Sequence, residues 1–258
     1  RFIGIDRYID PQIPDLVGAA RDATALWALF SDTLQDADCE LLLDQKATVE
    51  NIKSAIRETM DSAESDDLVI LTFAGHGTRD HRLVAHNTTL VDCNESTIAM
   101  GDLARQFKES RARAVICILD CCFSGGAPAR VLEDSPASRG MPFDPETFSG
   151  SGLLMITAAG LDEAAYEHPV HRHGLLTKAL IDVLTRTGGT VSLVAAMDEA
   201  QDIIRADAAA MGITQTPILF GMIDGGLKLP TLRRGGNFQK AFPETIAVRV
   251  TADIHDLA

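Results

Sequence analysis

An apolar run that stops at an acidic residue, two cysteines and two glycines constrains the fold of this chain more than any other stretch. It covers residues 114–126 and reads AVICILDCCFSGG. A short continuous run of apolar and β-branched residues is typical of a strand buried on both faces, and the glycine pair indicates a tight loop directly after it. Ligands of open α/β sheets lie at the carboxyl ends of the strands, so we expect functional side chains here.

A second stretch follows the same pattern and ends in a histidine. Residues 68–78 read LVILTFAGHGT, so an apolar run leads into His76 between Gly75 and Gly77. The flanking glycines allow the backbone to turn sharply and to approach a substrate closely. If the two strands are parallel neighbours, their ends place a thiol beside an imidazole, which is the minimum for nucleophilic cysteine catalysis.

The size and charge of the chain argue against several classes of function. Its 258 residues, 46% of them hydrophobic, suffice for one large α/β domain or two small ones. No apolar run reaches the ~20 residues that span a bilayer, so we expect no membrane partner. The net charge of −14 argues against nucleic acid as a partner, because phosphate backbones are bound by clustered Lys and Arg.

The cysteines and the first residues indicate the compartment and the origin of the chain. The five cysteines are an odd number, and Cys117, Cys121 and Cys122 cluster around one strand. This argues against a disulfide framework, so we expect a cytoplasmic protein in a reducing environment. Residues 1–6 have the pattern of a strand rather than a signal peptide, and we expect the chain to start inside a longer product or after a processing cut.

Strand and helix signals alternate along the chain, which favours a parallel sheet with right-handed crossovers. The predicted strands are residues 1–6, 39–43, 68–76, 114–122, 152–158 and 217–221. The predicted helices are residues 16–33, 48–63, 98–110, 174–187 and 191–210, with Thr48 capping the second. The polar segment 79–94 is expected to be a surface loop or hairpin. Residues 127–149 are interpreted as a long loop, and residues 246–254 as an edge strand or the start of another domain.

Most histidines have an ordinary structural interpretation beside any catalytic one. Even His76 can be explained as a turn residue that caps a strand. Five others lie in polar loops or in the tail, and we expect them at the surface: His81, His86, His168, His171 and His255. His173 together with His168 and His171 would suggest a metal site, but no cysteine or carboxylate pattern completes one, so we predict no metal.

Only one of the two adjacent cysteines can be a nucleophile. Neighbouring side chains of a strand point to opposite faces, so we expect one of Cys121 and Cys122 in the core and the other in the active cleft. The remaining cysteines are interpreted as small buried apolar residues: Cys39, Cys93 and Cys117.

Competing catalytic motifs are missing from the sequence. A phosphatase loop needs an arginine six positions after its cysteine, where this chain has Ala127 or Pro128. There is no G-x-G-x-x-G after the first strand, no G-x-x-x-x-G-K-[ST] and no G-x-S-x-G. Interpretations as a dinucleotide-binding, P-loop or serine-hydrolase protein therefore have no supporting residues.

A series of short motifs occurs along the chain in a fixed order. They are GID at 4–6, LVGAARDA at 16–23, FAGHG at 73–77, DCCFSG at 120–125, TAA at 157–159, DEAAYE at 162–167, GLLT at 174–177 and QTP at 215–217. As an ordered set they resemble the caspase-like cysteine peptidases (peptidase C14-like), in particular the metacaspase and bacterial orthocaspase branch.

The resemblance implies both a fold and a division of the chain. The fold is an α/β, caspase-like three-layer αβα sandwich with a mostly parallel six-stranded sheet. The peptidase domain would cover 1–225, with a large-subunit-like part at 1–126, a linker loop at 127–150 and a small-subunit-like part at 151–225. Residues 226–258 would form a C-terminal extension.

The resemblance also assigns catalytic roles. Cys122 is the nucleophile, His76 is the general base and acid, and the backbone N–H groups of Gly77 and Cys122 form the oxyanion hole. Physical chemistry agrees, because a thiol is mostly un-ionised at neutral pH and a neighbouring imidazole shifts it towards the thiolate. Family members work largely as a dyad, so we assign no third catalytic residue.

The substrate preference follows from the same resemblance. Metacaspases cleave after Arg or Lys with an acidic pocket, whose matches here are Asp22 and Asp120. A guanidinium would neutralise this buried carboxylate pair bidentately, so we predict Arg before Lys and no cleavage after Asp. Asp22 can also be explained as a helix-start acid and Asp120 as a loop-capping residue. Ala19 and Ala74 replace a Cys and a Ser that line this pocket in some metacaspases, which leaves the Lys/Arg balance open.

The resemblance also implies expectations about self-processing of the linker and about calcium. Arg130 and Arg139 lie in the linker loop and are candidate self-processing sites, although the loop can also be a connector that is never cut. Some metacaspases need calcium, but the segment after His76 is short in acidic residues and residue 129 is Ala where an Asp is expected. We predict no cofactor and no calcium dependence.

Two alternatives to an active peptidase stay open. One is a catalytically silent interaction or regulatory module that keeps the fold, against which the presence of both Cys122 and His76 argues. The other is a zymogen that needs a fused or associated sensor domain. The expected partners are protein or peptide substrates with Arg or Lys before the cut, and we expect a monomer.

Overall fold

A computed structural model describes residues 1–34, 36–121, 152–160, 163–186, 188–223 and 227–243. These residues form a six-stranded sheet between two layers of helices, with two small two-stranded sheets beside it. The strands are β1 (Phe2–Gly4), β2 (Leu41–Leu43), β3 (Leu68–Ala74), β4 (Arg82–Val84), β5 (Thr97–Ala99), β6 (Ala114–Asp120), β7 (Leu153–Thr157), β8 (Thr190–Ser192), β9 (Ile218–Met222) and β10 (Lys228–Pro230). The helices are α1 (Ala19–Thr33), α2 (Val49–Ser62), α3 (Met100–Glu109), α4 (Leu175–Arg186), α5 (Leu193–Ala210) and α6 (Gly236–Ala241).

The central sheet has the strand order β2-β1-β3-β6-β7-β9. All its strand pairs are parallel except β7 with β9, which is antiparallel. This confirms the predicted mostly parallel six-stranded sheet. Strands β3 and β6 pair over seven residues each, from Leu68 with Ala114 to Ala74 with Asp120. Their carboxyl ends are therefore level, and the two sequence motifs that follow them begin at the same edge.

Each face of the sheet packs against its own layer of helices. Alternate residues of β6 separate the two cores, because successive side chains of a strand point to opposite faces. Val115, Cys117 and Leu119 lie in one core with α2 and α3, while Ile116 and Ile118 lie in the other with α1, α4 and α5. The helices thus cover both faces of the sheet, as in the predicted three-layer sandwich.

Three predicted helices begin later than their periodicity indicated. The first, α1, begins at Ala19 rather than at residue 16, and the other two begin after short strands. The first residues of the segment 98–110 belong to β5, which pairs antiparallel with β4. The first residues of the segment 191–210 belong to β8, which pairs antiparallel with β10. Cross-strand hydrogen bonds outweigh local helix propensity in both places, and local periodicity does not contain that information. The predicted segments 127–149 and 246–254 lie outside the described residues.

The last described helix, α6, packs against α1. Its first N–H groups, those of Asn237 and Phe238, each donate to the carboxylate of Asp32 at 2.9 Å. A carboxylate at a helix N-terminus satisfies orphan donors and complements the helix dipole. Among the helices of the described ranges, none combines the length and the apolar character needed to cross a bilayer.

Candidate active site

His76 follows the end of β3 by two residues and has only 6% of its surface exposed. Its backbone N–H donates to the hydroxyl of Tyr8 at 3.0 Å, and the two rings lie 5.0 Å apart between centroids. Its Nε2 lies 2.8 Å from the carbonyl oxygen of Pro14. A carbonyl oxygen only accepts hydrogen bonds, so Nε2 carries the proton and Nδ1 holds the free lone pair.

This environment keeps the imidazole neutral. Burial lowers the pKa of His76 below its ordinary value of 6.5, and the hydrogen bond to Pro14 opposes that shift only in part. A neutral imidazole with Nδ1 unprotonated is the form that can accept a proton. The carbonyl of Pro14 fixes the tautomer, as the orienting partner of a catalytic histidine does, and the sequence alone did not point to it.

Gly77 follows His76 directly in the chain and is part of a short backbone bridge. The neighbouring hydrogen bonds run from Thr78 N–H to the Arg82 carbonyl and from Val84 N–H to the His76 carbonyl, at 2.9 and 3.0 Å. They flank an isolated bridge between Gly77 and Leu83. Within the described ranges the N–H of Gly77 donates to no other group. It is thus available to an oxyanion.

The cysteine motif begins where β6 ends. Cys121 is buried in the core that contains α2 and α3, on the same face of the strand as Cys117 and Leu119. It therefore occupies the core position expected for one of the two adjacent cysteines. Cys122 lies outside the described residues, as do the candidate processing sites Arg130 and Arg139.

The two predicted substrate-binding carboxylates, Asp22 of α1 and Asp120 of β6, meet the start of α4. One oxygen of Asp22 accepts the N–H of Gly174 at 2.9 Å. Oδ2 of Asp120 accepts both the N–H and the hydroxyl of Thr177, at 3.0 and 2.7 Å. The structure thus brings together two residues that are far apart in the sequence. The N-terminus of a helix is a favourable place for negative charge, because its N–H groups lack partners within the helix.

Among the described residues, however, no Lys or Arg side chain pairs with either carboxylate. Asp22 has 2% of its surface exposed. Burial raises its pKa well above the ordinary range, and the charge of Asp120 raises it further. Burial also raises the pKa of Asp120, with a smaller contribution from Glu167. In the described part of the chain Oδ1 of Asp120 accepts no hydrogen bond. An incoming cation with N–H donors would find one open acceptor and excess negative charge here.

The glycine before α4 lies against the carboxylate of Asp120. A Cβ atom on Gly174 would lie 2.2 Å from Oδ2 of Asp120, well inside van der Waals contact. Any larger residue must therefore displace the carboxylate or the start of α4. Gly174 is needed for this close approach rather than for an unusual backbone angle.

A histidine and an arginine lie behind Asp22, and neither was assigned a role from the sequence. Nδ1 of His173 lies 2.5 Å from Oδ1 of Asp22. Nε of Arg21 donates to Nε2 of His173 at 3.1 Å, so Nδ1 carries the imidazole proton and donates to Asp22. Burial, followed by the charge of Arg21, lowers the pKa of His173 to about 4. His173 is therefore neutral, and it bridges the carboxyl group of Asp22 and the guanidinium of Arg21.

Some expectations about surface residues were wrong. His86 is 8% exposed rather than solvated, and its Nδ1 lies 2.6 Å from the carbonyl oxygen of Arg7. His81 is half-buried with a φ of 57°. Both histidines belong to a hairpin region that folds over the core, which its polar sequence concealed. Cys39 is half-buried, while Cys93 and Cys117 are buried as expected.

Of the three remaining histidines, two lie among the described residues. His168 is half-buried and His171 is exposed, with ring centroids 4.4 Å apart. His255 lies outside the described residues. The solvated position expected of His171 is thus found, and that of His168 only in part.

Comparisons with known proteins agree with this architecture. A family model, Peptidase_C14 with the description "Caspase domain", matches residues 2–226. A search of curated proteins gave no match. Among solved structures, protein GSU0716 from Geobacter sulfurreducens has a TM-score of 0.62 at 15% identity, covering 86% of this chain and 93% of that one. Caspase-1 from Spodoptera frugiperda has a TM-score of 0.62 at 13% identity, covering 87% of this chain and 86% of that one. At such low identities, TM-scores of 0.62 show a shared fold.

Proposed function

Because this chain belongs to the Peptidase_C14 family of caspase domains, we propose that it is a cysteine endopeptidase that cleaves after basic residues, Arg before Lys. Cys122 is the proposed nucleophile and His76 the proposed general base and acid. The observation that carries the proposal is the pair of buried Asp22 and half-buried Asp120 near the same sheet edge as a neutral, oriented His76.

The proposed reaction needs one proton carrier and one oxyanion site. Nδ1 of His76 takes the proton of the Cys122 thiol, and the thiolate attacks the carbonyl carbon of the scissile bond. The N–H groups of Gly77 and Cys122 donate to the oxyanion that forms. The imidazolium then gives its proton to the amine nitrogen, the scissile C–N bond breaks, and the amine leaves a thioester on Cys122. Water, deprotonated by the same histidine, hydrolyses the thioester and restores the free thiol.

The proposed specificity rests on charge and hydrogen-bond capacity. A guanidinium offers five N–H donors in a planar fork and stays charged when buried, which suits the open acceptor of Asp120 and the excess negative charge beside Asp22. Lysine would supply the charge without the fork, so we propose that it is the weaker substrate. An aspartate at the same position would add a third carboxylate, and we propose that such peptides are not cleaved.

The contacts of the acidic pair with α4 also suit a purely structural role. In that case the chain would be a catalytically silent module whose two carboxylates only hold the start of α4. The orientation of His76 favours the enzyme, because a silent module has no use for a fixed tautomer with an open Nδ1. A zymogen, activated by a cut at Arg130 or Arg139 or by a sensor domain, is a variant of the proposed enzyme. We propose that no calcium is required.

The test is cleavage of fluorogenic peptides that differ only in the last residue before the reporter, which is Arg, Lys or Asp. It compares the unaltered protein with Cys122→Ala and with Cys39→Ala, which removes a thiol far from the proposed site. Calcium or a chelator is added in parallel. We expect cleavage of the Arg peptide most strongly, no loss in Cys39→Ala, and complete loss in Cys122→Ala. Cleavage of the Asp peptide alone would overturn the assignment of Asp22 and Asp120.

If no peptide is cleaved, a deliberate cut in the linker separates the zymogen from the silent module. A protease site introduced at residues 130–139 allows cleavage of the folded protein by an added protease. Activity that appears after this cut supports a zymogen. A folded, cut protein that still cleaves nothing contradicts the proposed enzyme and favours the silent module.

A further inference from the structure

A cavity lies next to the acidic pair, on the other side of His173. It has a volume of about 350 Å³ and lies between α1, α4 and α6. Five of its nine lining residues are basic or imidazole side chains, and the one carboxylate among them is Asp182. A volume of this size is at the lower end of the range for small-molecule sites, which is roughly 300–1,000 Å³.

Two guanidinium groups in this cavity are held over aromatic rings. Cζ of Arg21 lies 4.7 Å from the ring centroid of Phe242, and Cζ of Arg234 lies 5.3 Å from that of Phe238. The two rings are in contact, with centroids 4.9 Å apart. Stacking on a ring limits the motion of a guanidinium but leaves its edge N–H groups free to donate.

Neither arginine has a carboxylate partner among the residues that the structure describes. Lys178, in the same cavity, is already paired with Asp182 at 3.3 Å and with Asp207 at 3.0 Å. The chain as a whole carries a net charge of −14, so carboxylates are abundant. Two oriented guanidiniums without an anionic partner, facing one cavity, therefore indicate an external anion.

We propose that this cavity binds a small phosphate-bearing anion, with the guanidiniums of Arg21 and Arg234 as its principal donors. Guanidinium groups match phosphate oxygens bidentately, and charge-assisted hydrogen bonds of this kind are the stronger ones in proteins. Because the rings already hold both side chains, little conformational entropy is lost on binding.

The cavity shares His173 with the proposed substrate pocket, so the anion has a route to the reaction. The groups that face His173 are Arg21 and Asp22 of α1, Lys178 and Asp182 of α4, and His171 of the preceding loop. The cation of Arg21 favours neutral His173, and a bound anion would cancel part of that influence.

Protonation of His173 would then become easier. The positive charge of protonated His173 would offset the negative charge of the Asp22 carboxylate. The substrate pocket would then attract an arginine less strongly. This second step rests on the proposed function, and it makes the anion an inhibitor that raises KM.

The binding step is tested by calorimetry with inorganic pyrophosphate as the probe, at constant ionic strength. The full chain is compared with Arg234→Gln and with Arg205→Gln, an exposed arginine of α5 that pairs with Asp202 outside the cavity. We expect saturable binding with one site per chain. Loss of a hydrogen-bonded charge should weaken binding by about tenfold or more in Arg234→Gln, and Arg205→Gln should bind as the unaltered chain does.

The outcomes separate the binding site from its coupling to catalysis. Absence of saturable binding, or equal binding by Arg234→Gln with an unchanged melting temperature, would overturn the site. If pyrophosphate binds but leaves KM for the Arg peptide unchanged, the coupling through His173 is overturned and the site remains. Calorimetry does not depend on activity, so failure of the proposed peptidase function would not affect this first test.

Discussion

The imidazole of His76 and the carbonyl oxygen of Pro14 are joined by a 2.8 Å hydrogen bond across 62 residues of sequence. The bond assigns one nitrogen of the ring as donor and leaves the other as the base. It uses a main-chain oxygen, so no side-chain substitution removes the acceptor itself. A histidine oriented in this way does not need a carboxylate partner to fix its tautomer.

Replacement of His76 by alanine is expected to reduce kcat for the Arg peptide by about 10²- to 10⁴-fold, the usual contribution of a general acid and base. The imidazole is buried, so thermal melting must first show that the variant is folded. Single-turnover measurements then isolate the chemical step. A folded variant that retains more than a tenth of the activity would contradict the role of His76.

The pH profile should show the lowered pKa of His76. A general base works in its neutral form, and burial shifts the loss of that form to lower pH. We therefore expect the acidic limb of kcat/KM in the free enzyme to lie below pH 6.5. Peptides without titratable groups, assayed in buffers of constant ionic strength, measure this limb. A limb centred above pH 7 would contradict a neutral, buried histidine.

Replacement of Asp120 by asparagine should separate stability from activity. The folded pKa of Asp120 is raised above the unfolded value of 3.8, so the folded state holds its proton to higher pH. The free energy of unfolding contributed by this group therefore falls as pH rises through the folded pKa. Asparagine does not titrate and can still accept from Thr177. Urea denaturation should thus show the variant gaining stability relative to the unaltered chain from pH 4 to pH 7.

In the same variant, kcat/KM for the Arg peptide is expected to fall by about 10²-fold, because the substrate arginine loses the carboxylate of Asp120 as a partner. Parallel stability curves for the two proteins would contradict a raised pKa of Asp120. An unchanged kcat/KM would contradict its role in the substrate pocket. The two readouts are independent, so either part can fail alone.

Addition of a methyl group at Gly174 should disturb the acidic pair. A Cβ atom there would lie 2.2 Å from Oδ2 of Asp120, so Gly174→Ala is expected to destabilise the fold by about 1–3 kcal/mol, as overpacking does. Gly101→Ala is the matched control, since no atom lies within 4 Å of its added Cβ. Equal denaturation midpoints for the two variants would show that Asp120 and α4 separate without cost.

The hydroxyl of Thr177 should contribute measurable stability. Thr177→Val keeps the shape and the backbone N–H but removes the 2.7 Å hydrogen bond to Asp120. A hydrogen bond to a charged group contributes about 1.5–3 kcal/mol, so a loss of that order is expected in urea denaturation. Thr177→Ser, which keeps the hydroxyl, should recover most of it. If serine is no better than valine, the loss comes from packing and not from the hydrogen bond.

Much of the fold could be predicted from the sequence because its strongest signals are local. The apolar runs that form β3 and β6 are read over a few residues, as is the cap of α2, and Thr48 does cap that helix as expected. The neighbouring carboxyl ends of these two strands followed from the rule for parallel sheets. The helix prediction was wrong for the residues of β5 and β8, because each of these strands forms only by pairing with a strand elsewhere in the chain.

The candidate site could be predicted only where a motif carries it. His76, Asp22 and Asp120 lie in motifs, whereas His173 contacts Asp22 across 151 residues and follows no periodic pattern. Pro14 takes part through its carbonyl oxygen, a group that every residue has, so the sequence offered no sign of it. His86 is buried for a similar reason, since its partner is the main-chain oxygen of Arg7.

Strands β6 and β7 are hydrogen-bonded neighbours inside the sheet, in register from Val115 with Leu153 to Leu119 with Thr157. The chain between them contains Arg130 and Arg139, the two proposed self-processing sites. A cut there would break the covalent connection between the two strands. The backbone hydrogen bonds between β6 and β7, both cores, and the hydrogen bonds of Asp22 and Asp120 to the start of α4 would stay in place. The two pieces would migrate separately on a denaturing gel and together on a sizing column. Proteolytic maturation of this chain would thus preserve it as a single particle.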